Sequence, residues 1–252
     1  MEEKRVALSV GELVYLEGGK GEPLVFFHGA IATPRAYLPF LTLFAKHYRV
    51  IAPTHPGHGD SFAITNDWEL EDFIATYQNF FAALNVSKFA IVGHSFGGTL
   101  ALLLANKGRA IQVIAMDPPG LPITFTMHSF LRAKKKELRA ILNRPDRKQI
   151  QEVIAAAQTL IYTARRHSKE LSWFMTKGPN FNIAEDLAKI QIPTAYFWGE
   201  EDGIVPVSVG KTMHELTPGS TLDIFPGRGH NYPVFDPEFT YRQLMSVIGK
   251  MH

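Results

Sequence analysis

Short apolar runs that end in glycine-rich or polar turns recur along the chain, and they constrain its fold more than any other feature. Before residue 120 there are four of them: Leu24–Phe27, Arg49–Ala52, Phe89–Val92 and Val113–Met116. A continuous apolar run of this length is typical of a strand buried on both faces. Segments with helical spacing of their apolar residues, about 35–46 and 68–84, lie between the runs. The alternation predicts an α/β fold with a mostly parallel, doubly wound sheet.

The same alternation resumes near the C-terminus after a long interruption. Strand patterns recur at Thr194–Trp198 and Thr221–Phe225, helical patterns at 208–216 and 237–248, and a β-prone pair opens the chain at Val6–Val10 and Leu13–Leu16. Residues 121–186 contain no strand pattern, and we expect two or three helices to fill this interval. We therefore expect a core formed by residues 1–120 and 187–252, with residues 121–186 inserted as a helical cap.

Composition excludes several classes of protein. The chain has 252 residues, 46% hydrophobic and 20% charged, with a net charge of +2 and no cysteine. Disulfide scaffolds, thiolate metal sites and cysteine nucleophiles are therefore excluded. The charged N-terminus shows no secretory signal, and no apolar run reaches the ~18–20 residues that span a bilayer. We expect a cytoplasmic protein without stable membrane insertion, and no motif for nucleic-acid binding is present.

The strongest chemical signal is the G-x-S-x-G pattern at Gly93–Gly97, with Ser95 at its centre. An apolar strand pattern precedes it and an apolar helical pattern follows it, which is the context that a strained strand-to-helix turn requires. Such a turn exposes the serine hydroxyl above the sheet and directs the N-terminus of the helix at a developing oxyanion. We interpret Ser95 as a nucleophile.

A serine nucleophile needs a general base, and the base needs a carboxylate that fixes its tautomer. His230 follows the last predicted strand in a glycine-flanked loop, and Asp202 follows the preceding strand. Both fall at carboxyl ends of strands, in the chain order serine, acid, histidine. Asp117, at the end of an earlier strand, is an alternative acid, although a polar turn before two prolines also explains it. Glu200 and Glu201 lie beside Asp202 as further candidates.

We expect structural or surface positions for most of the other histidines. We expect a structural hydrogen bond for His28 and a side chain directed away from the site for His94. His55 and His58 raise the alternative of a metal site, but a Pro-Gly turn is the simpler interpretation of this segment. Surface solvation explains four more, His47, His167, His214 and His252.

These motifs together resemble the α/β-hydrolase superfamily over nearly the whole chain. The matching segments are His28-Gly29, the turn 56–61, Gly93–Gly98, Gly199–Pro206 and Gly229-His230. The resemblance implies a triad of Ser95, Asp202 and His230. It also implies an oxyanion hole formed by the N–H groups of Ala30 and Phe96.

Within the superfamily, this sequence resembles some branches more than others. It has Thr54 where many relatives carry an aspartate, which bears on loop packing. Ser95 argues against the branches with an aspartate nucleophile, such as epoxide hydrolases and haloalkane dehalogenases. His94 looks more like esterases, lactonases and lipases than like some carbon–carbon bond hydrolases.

The resemblance implies hydrolysis of a small to medium, partly apolar carboxylic ester or lactone through an acyl-enzyme, without a cofactor or a metal. Two alternatives stay open: a ligand-binding receptor on a hydrolase scaffold, and haloperoxidase-like perhydrolysis with the same triad. The expected partner is a small-molecule ester, and the sequence does not indicate an oligomeric state.

The predicted cap carries an unusual charge. Residues 132–169 hold eleven Lys or Arg against three acids, a net charge of +8, so the rest of the chain sums to −6. A solvated outer face of the cap helices explains this, and attraction of an anionic substrate is the alternative. Apolar residues at both ends of the cap are expected to form its own core and part of an apolar pocket: Leu121, Ile123, Phe125, Met127, Phe130, Trp173, Phe174 and Met175.

Overall fold

Eight β-strands form one sheet in the computed structural model, which describes residues 1–30, 32–123 and 168–248. The strands are β1 (Glu2–Leu8), β2 (Gly11–Gly18), β3 (Pro23–Phe27), β4 (Arg49–Pro53), β5 (Phe89–His94), β6 (Ala110–Met116), β7 (Thr194–Gly199) and β8 (Thr221–Phe225). Their spatial order is β1-β2-β4-β3-β5-β6-β7-β8. β2 pairs antiparallel with both of its neighbours, β1 and β4. Every other neighbouring pair, from β4 to β8 in the spatial order, is parallel. The predicted mostly parallel sheet is confirmed.

Helices cover both faces of the sheet, as a doubly wound fold requires. In the described part of the chain they are α1 (Leu38–Phe44), α2 (Leu70–Ala83), α3 (Phe96–Ala105), α4 (Ser168–Lys177), α5 (Ala184–Leu187), α6 (Val207–Leu216), α7 (Tyr232–Phe235) and α8 (Pro237–Ile248). Apolar side chains of α2, α3 and α6 pack on one face of the sheet, and those of α1 and α8 pack on the other. The strands between them are buried on both sides, because Val25 and Phe27 of β3 face the first layer while Leu24 and Phe26 face the second.

Several element boundaries differ from the sequence prediction, and two of the differences have a clear physical reason. β1 begins at Glu2, four residues before the predicted start. Residues 2–5 pair with β2, but all four are charged, so no apolar pattern predicts a strand there. This is an edge strand, whose exposed side chains form cross-strand ion pairs such as Lys4–Glu17, so the apolar pattern does not mark it. The helix predicted over 35–46 begins as a 3-10 turn (Pro34–Tyr37) and continues as the shorter α1.

The predicted cap is only partly within the described residues. Residues 124–167 lie outside them, and with these residues lie most of the basic stretch and the predicted pocket residues Phe125, Met127 and Phe130. The described end of the cap consists of α4 and α5, and its Trp173 and Phe174 are buried. Trp173 also donates its indole N–H to the carbonyl of Trp68, at 2.9 Å. The cap boundaries therefore stay a prediction.

None of the helices in the described ranges combines the length and the apolar character that a bilayer crossing requires.

Candidate active site

Ser95 occupies a sharp turn between β5 and α3. Its φ of 53° and ψ of −125° lie in a region that non-glycine residues rarely adopt, so the backbone here is strained. The two flanking glycines make the turn possible, because a methyl group at Gly93 would overlap the backbone of Gly97 and one at Gly97 would overlap the backbone of Phe27. The N–H of Ser95 donates to the carbonyl of Met116, at 2.8 Å, which ties the turn to β6.

The structure brings the three predicted triad side chains together in one hydrogen-bonded series. His230 lies between β8 and α7, and its Nε2 is 3.0 Å from Oγ of Ser95. Its Nδ1 is 2.7 Å from Oδ2 of Asp202, in the loop after β7. A carboxylate only accepts, so Nδ1 carries the hydrogen and Nε2 is left to accept the hydrogen of the Ser95 hydroxyl. The side chains of Asp202 and His230 are 0% and 6% exposed, whereas Ser95 is half-buried.

The second carboxylate oxygen of Asp202 is held by the backbone. Oδ1 accepts the N–H groups of Ile204 and Val205, at 2.7 and 2.9 Å. The carboxylate is therefore oriented from one side, and its other oxygen is directed at His230. These two backbone bonds also supply the hydrogen-bond partners that a buried carboxylate requires.

Asp117, the alternative acid, is fully buried at the end of β6 with a φ of 48°. Its Oδ1 accepts the N–H of Gly199, at 2.9 Å, which joins the ends of β6 and β7. Glu200 and Glu201, the neighbours of Asp202, are exposed. Of these four acids, Asp202 is the one whose hydrogen bond to Nδ1 of His230 orients the ring toward Ser95.

The two predicted oxyanion donors belong to the residue after Ser95 and to the loop after β3. Phe96 begins α3, so its N–H has no acceptor within the helix. Ala30 follows Gly29 in the loop after β3, and a methyl group built on Gly29 would lie 3.3 Å from Cβ of Ser95. The loop backbone thus passes beside the serine. This placement is consistent with an oxyanion hole at the N-terminus of α3.

His28 and His55 form a buried network behind this loop. Nδ1 of His28 donates to the carbonyl of Gly29 at 2.8 Å, and its Nε2 accepts the backbone N–H of His55 at 2.9 Å. Nε2 of His55 donates to the carbonyl of His28 at 2.8 Å, and its Nδ1 accepts the hydroxyl of Tyr77. Both nitrogens of each ring are thereby used by the protein, and His28 has the structural role that the sequence indicated. The metal interpretation of His55 would require these bonds to break.

The same two histidines make the fold sensitive to acid. Burial, followed by the proximity of other histidines, lowers the pKa of His28 and of His55 well below the usual value. Both stay neutral in the folded state, whereas in the unfolded chain they take up protons below about pH 6.5. Their contribution to stability is therefore complete above about pH 6.5. As the pH falls below that value, each histidine reduces the free energy of unfolding by about 1.4 kcal/mol per pH unit.

Urea unfolding at pH 7.5, 6.5 and 5.5 measures this effect. We expect the free energy of unfolding of His55→Gln to fall less steeply with falling pH than that of the unmodified chain. The difference in slope should correspond to the uptake of close to one proton on unfolding. The control is His47→Gln, because His47 is exposed and should leave the slope unchanged. Equal slopes for His55→Gln and the unmodified chain would contradict this assignment.

The sequence predicted that the His94 side chain is directed away from the site, and it indicated no partner for it. His94 is buried, its Nε2 is 2.8 Å from the carbonyl of His230, and its Nδ1 is 2.6 Å from the hydroxyl of Tyr37. Tyr37 and Tyr77 were not singled out by the sequence, because an aromatic residue at helical spacing ordinarily indicates core packing.

One cluster within the described residues has the composition of a metal site. Ligand atoms of His94, Asp117 and His230 lie within 4.8 Å of one another, and all three residues are buried. The nitrogens of both histidines already take part in the hydrogen bonds described above. A cation here would have to displace them, so the residues fit a hydrogen-bonded cluster better than a coordination sphere.

The doubly wound sheet, together with a strained serine, an acid and a histidine at the carboxyl ends of its strands, defines an α/β-hydrolase. The chain belongs to the alpha/beta hydrolase family, whose model matches residues 24–243.

Curated relatives span several activities. The chain is 26% identical over 261 residues to 2-hydroxy-6-oxo-6-(2'-aminophenyl)hexa-2,4-dienoic acid hydrolase of Metapseudomonas resinovorans, covering 95% of this chain and 88% of that protein. It is also 26% identical over 267 residues to a non-heme haloperoxidase of Rhodococcus erythropolis, with coverages of 94% and 96%. Among solved structures, an esterase from Rhodococcus sp. ECU1013 superposes with a TM-score of 0.82 at 22% identity and 100% coverage of both chains. The superposition supports the predicted fold, while the relatives support a hydrolase without fixing its substrate.

Proposed function

We propose that this protein is a serine hydrolase that cleaves a carboxylic ester or lactone through an acyl-enzyme on Ser95. The observation that carries the proposal is the hydrogen-bonded series from Asp202 through His230 to Ser95, which ends on a serine held in a strained turn. Hydrogen-bond contact of a nucleophile with a base, and of that base with an orienting carboxylate, is the arrangement that activates a serine hydroxyl.

The proposed reaction has two halves. Oγ of Ser95 attacks the carbonyl carbon as its proton passes to Nε2 of His230, and the N–H groups of Ala30 and Phe96 hold the oxyanion. The tetrahedral intermediate collapses, and the alcohol leaves with the proton from His230. Water then gives its proton to His230 and attacks the acyl-enzyme, which releases the acid and restores Ser95.

The substrate is proposed to be small to medium and partly apolar on the acyl side. Phe96, next to the nucleophile, is buried against Phe174 of α4 with ring centroids 4.6 Å apart, and Phe181 lies 5.8 Å from the same ring. Aromatic side chains from the cap therefore pack against the side chain that follows the serine in the sequence. An apolar wall of this kind favours a hydrocarbon acyl group over a charged one.

The proposal is tested with p-nitrophenyl esters of two to eight acyl carbons. We expect multiple turnovers, preceded under rapid mixing by a burst of about one p-nitrophenol per active site, and a mass increase of one acyl group on the peptide that contains Ser95. A single turnover without further hydrolysis would instead support a receptor. Acylation of a peptide that lacks Ser95, or no reaction with any ester or lactone, would overturn the proposal.

Perhydrolysis is a second candidate, favoured by the similarity to the Rhodococcus erythropolis haloperoxidase over nearly the whole of both chains. Here hydrogen peroxide replaces water in the second half of the reaction and releases a peracid. Adding peroxide to the ester assay distinguishes the two, because a perhydrolase forms peracid in preference to acid. A third arm of the assay uses the dienoic acid that the Metapseudomonas relative's name specifies.

A further inference from the structure

A chain of hydrogen bonds joins the loop after β3 to the loop that carries His230, and it passes through His94, the residue before Ser95. It begins at the N–H of Gly29, which donates to the hydroxyl oxygen of Tyr37 at 3.2 Å. That hydroxyl is 2.6 Å from Nδ1 of His94, whose Nε2 is 2.8 Å from the carbonyl oxygen of His230. Two of its three links join residues that are 57 and 136 positions apart in the sequence.

The chemistry of the groups sets the direction of this chain. A backbone carbonyl only accepts, so Nε2 of His94 carries a hydrogen and donates to His230. Tyr37 already accepts the N–H of Gly29, and its own hydrogen reaches an acceptor when Nδ1 of His94 is bare. Burial raises the pKa of Tyr37, so the phenol keeps this hydrogen. Every buried donor in the chain then has an acceptor.

Both ends of the chain lie in the proposed catalytic apparatus. Gly29 is the residue before Ala30, whose N–H is a proposed oxyanion donor, and the carbonyl at the other end belongs to the proposed base itself. His94 is the residue before Ser95. A shift of Tyr37 or His94 would therefore change the spacing between the oxyanion loop, the nucleophile and the base.

We propose that Tyr37 and His94 are positioning residues that hold the oxyanion loop and the His230 loop at a fixed separation around Ser95. The inference rests on the proposed acyl-transfer function. It goes beyond that function because neither side chain takes part in bond making or breaking. The physical reason is preorganisation: oxyanion donors and a base stabilise a transition state only when they are already in place, and a displacement of about 1 Å costs about 10²-fold in rate.

The variant Tyr37→Phe tests the inference, with Tyr196→Phe as a matched control. Both tyrosines are buried, and the hydroxyl of Tyr196 is hydrogen-bonded to Oγ1 of Thr217 at the end of α6, a pair outside the proposed site. We expect Tyr37→Phe to lower kcat for a p-nitrophenyl ester about 10–100-fold with KM changed less than about threefold. Affinity for a trifluoromethyl ketone, which mimics the tetrahedral intermediate, should fall by the same factor. Tyr196→Phe should keep kcat within about twofold, whatever its loss of thermal stability.

Several outcomes overturn the inference. One is a kcat of Tyr37→Phe within about twofold of the unmodified enzyme, and another is an equal loss in Tyr196→Phe. If Tyr37→Phe does not fold, histidine ¹⁵N NMR of the unmodified protein decides. A neutral His94 protonated at Nε2 supports the proposed series of hydrogen bonds, and one protonated at Nδ1 refutes it.

If the unmodified protein turns over no ester, the proposed function fails separately. The rate at which a fluorophosphonate labels Ser95 then replaces kcat as the readout. A slower rate in Tyr37→Phe than in the unmodified protein and in Tyr196→Phe supports positioning, and equal rates refute it.

Discussion

Replacing Ser95 with alanine is expected to lower kcat for a p-nitrophenyl ester by about 10⁶-fold, and His230→Ala is expected to cost the same. Each side chain is useless to the proposed mechanism without the other, because the serine needs a proton acceptor and the histidine needs a proton to accept. The double variant should therefore be no slower than either single variant. The activity left over, about 10³–10⁴ above the uncatalysed rate, would come from the oxyanion donors and from substrate binding.

Steady-state kinetics on the three variants checks this expectation, and thermal unfolding checks that they remain folded. Ser87→Ala and His47→Ala are suitable controls, since both residues are exposed and should leave kcat unchanged. Losses that multiply in the double variant would show that Ser95 and His230 act independently. That result would contradict the proposed proton transfer between them.

The fold was predictable because its strands and helices are marked by periodicity that burial imposes. β8 and α8 have the bounds that the sequence predicted, since glycine, proline or polar residues flank their apolar patterns. β1 was mispredicted because an exposed edge strand is held by backbone bonds and cross-strand ion pairs, which leave no apolar pattern. The turn at Pro34 was mistaken for helix because a 3-10 turn shares much of the helical spacing.

Chain order and the positions of the strand ends were enough to predict the three triad residues, but not the residues that support them. Ser95, Asp202 and His230 follow three different strands, and the carboxyl ends of parallel strands meet at one edge, so their proximity follows from topology. The sequence left Asp202 and Asp117 as rival acids because both end strands near that edge. The Tyr37–His94 pair was missed for another reason: a buried tyrosine has the pattern of a core residue, and its hydroxyl partner is 57 residues away.

Exchanging Asp202 for asparagine is expected to lower kcat about 10⁴-fold while leaving the fold intact. The reason lies in the backbone around the carboxylate. Oδ1 accepts two N–H groups, from Ile204 and Val205, so the amide oxygen of an asparagine must stay on that side. Its NH₂ group then faces Nδ1 of His230 in place of Oδ2. Because NH₂ donates, Nδ1 must become the acceptor, and the ring hydrogen moves to Nε2, where it blocks the transfer from Ser95.

Asp117→Asn is the matched control, because it removes a second buried carboxylate at the same edge of the sheet. The amide oxygen of the new side chain can still accept the N–H of Gly199, so we expect kcat to fall less than about tenfold. The measurement is kcat for both variants with one p-nitrophenyl ester, with histidine ¹⁵N NMR reporting the tautomer of His230. In Asp202→Asn the hydrogen should be found on Nε2, and in Asp117→Asn it should stay on Nδ1. The reverse pattern would assign the acid of the triad to Asp117, because only the carboxylate that accepts from Nδ1 can hold the tautomer that Ser95 requires.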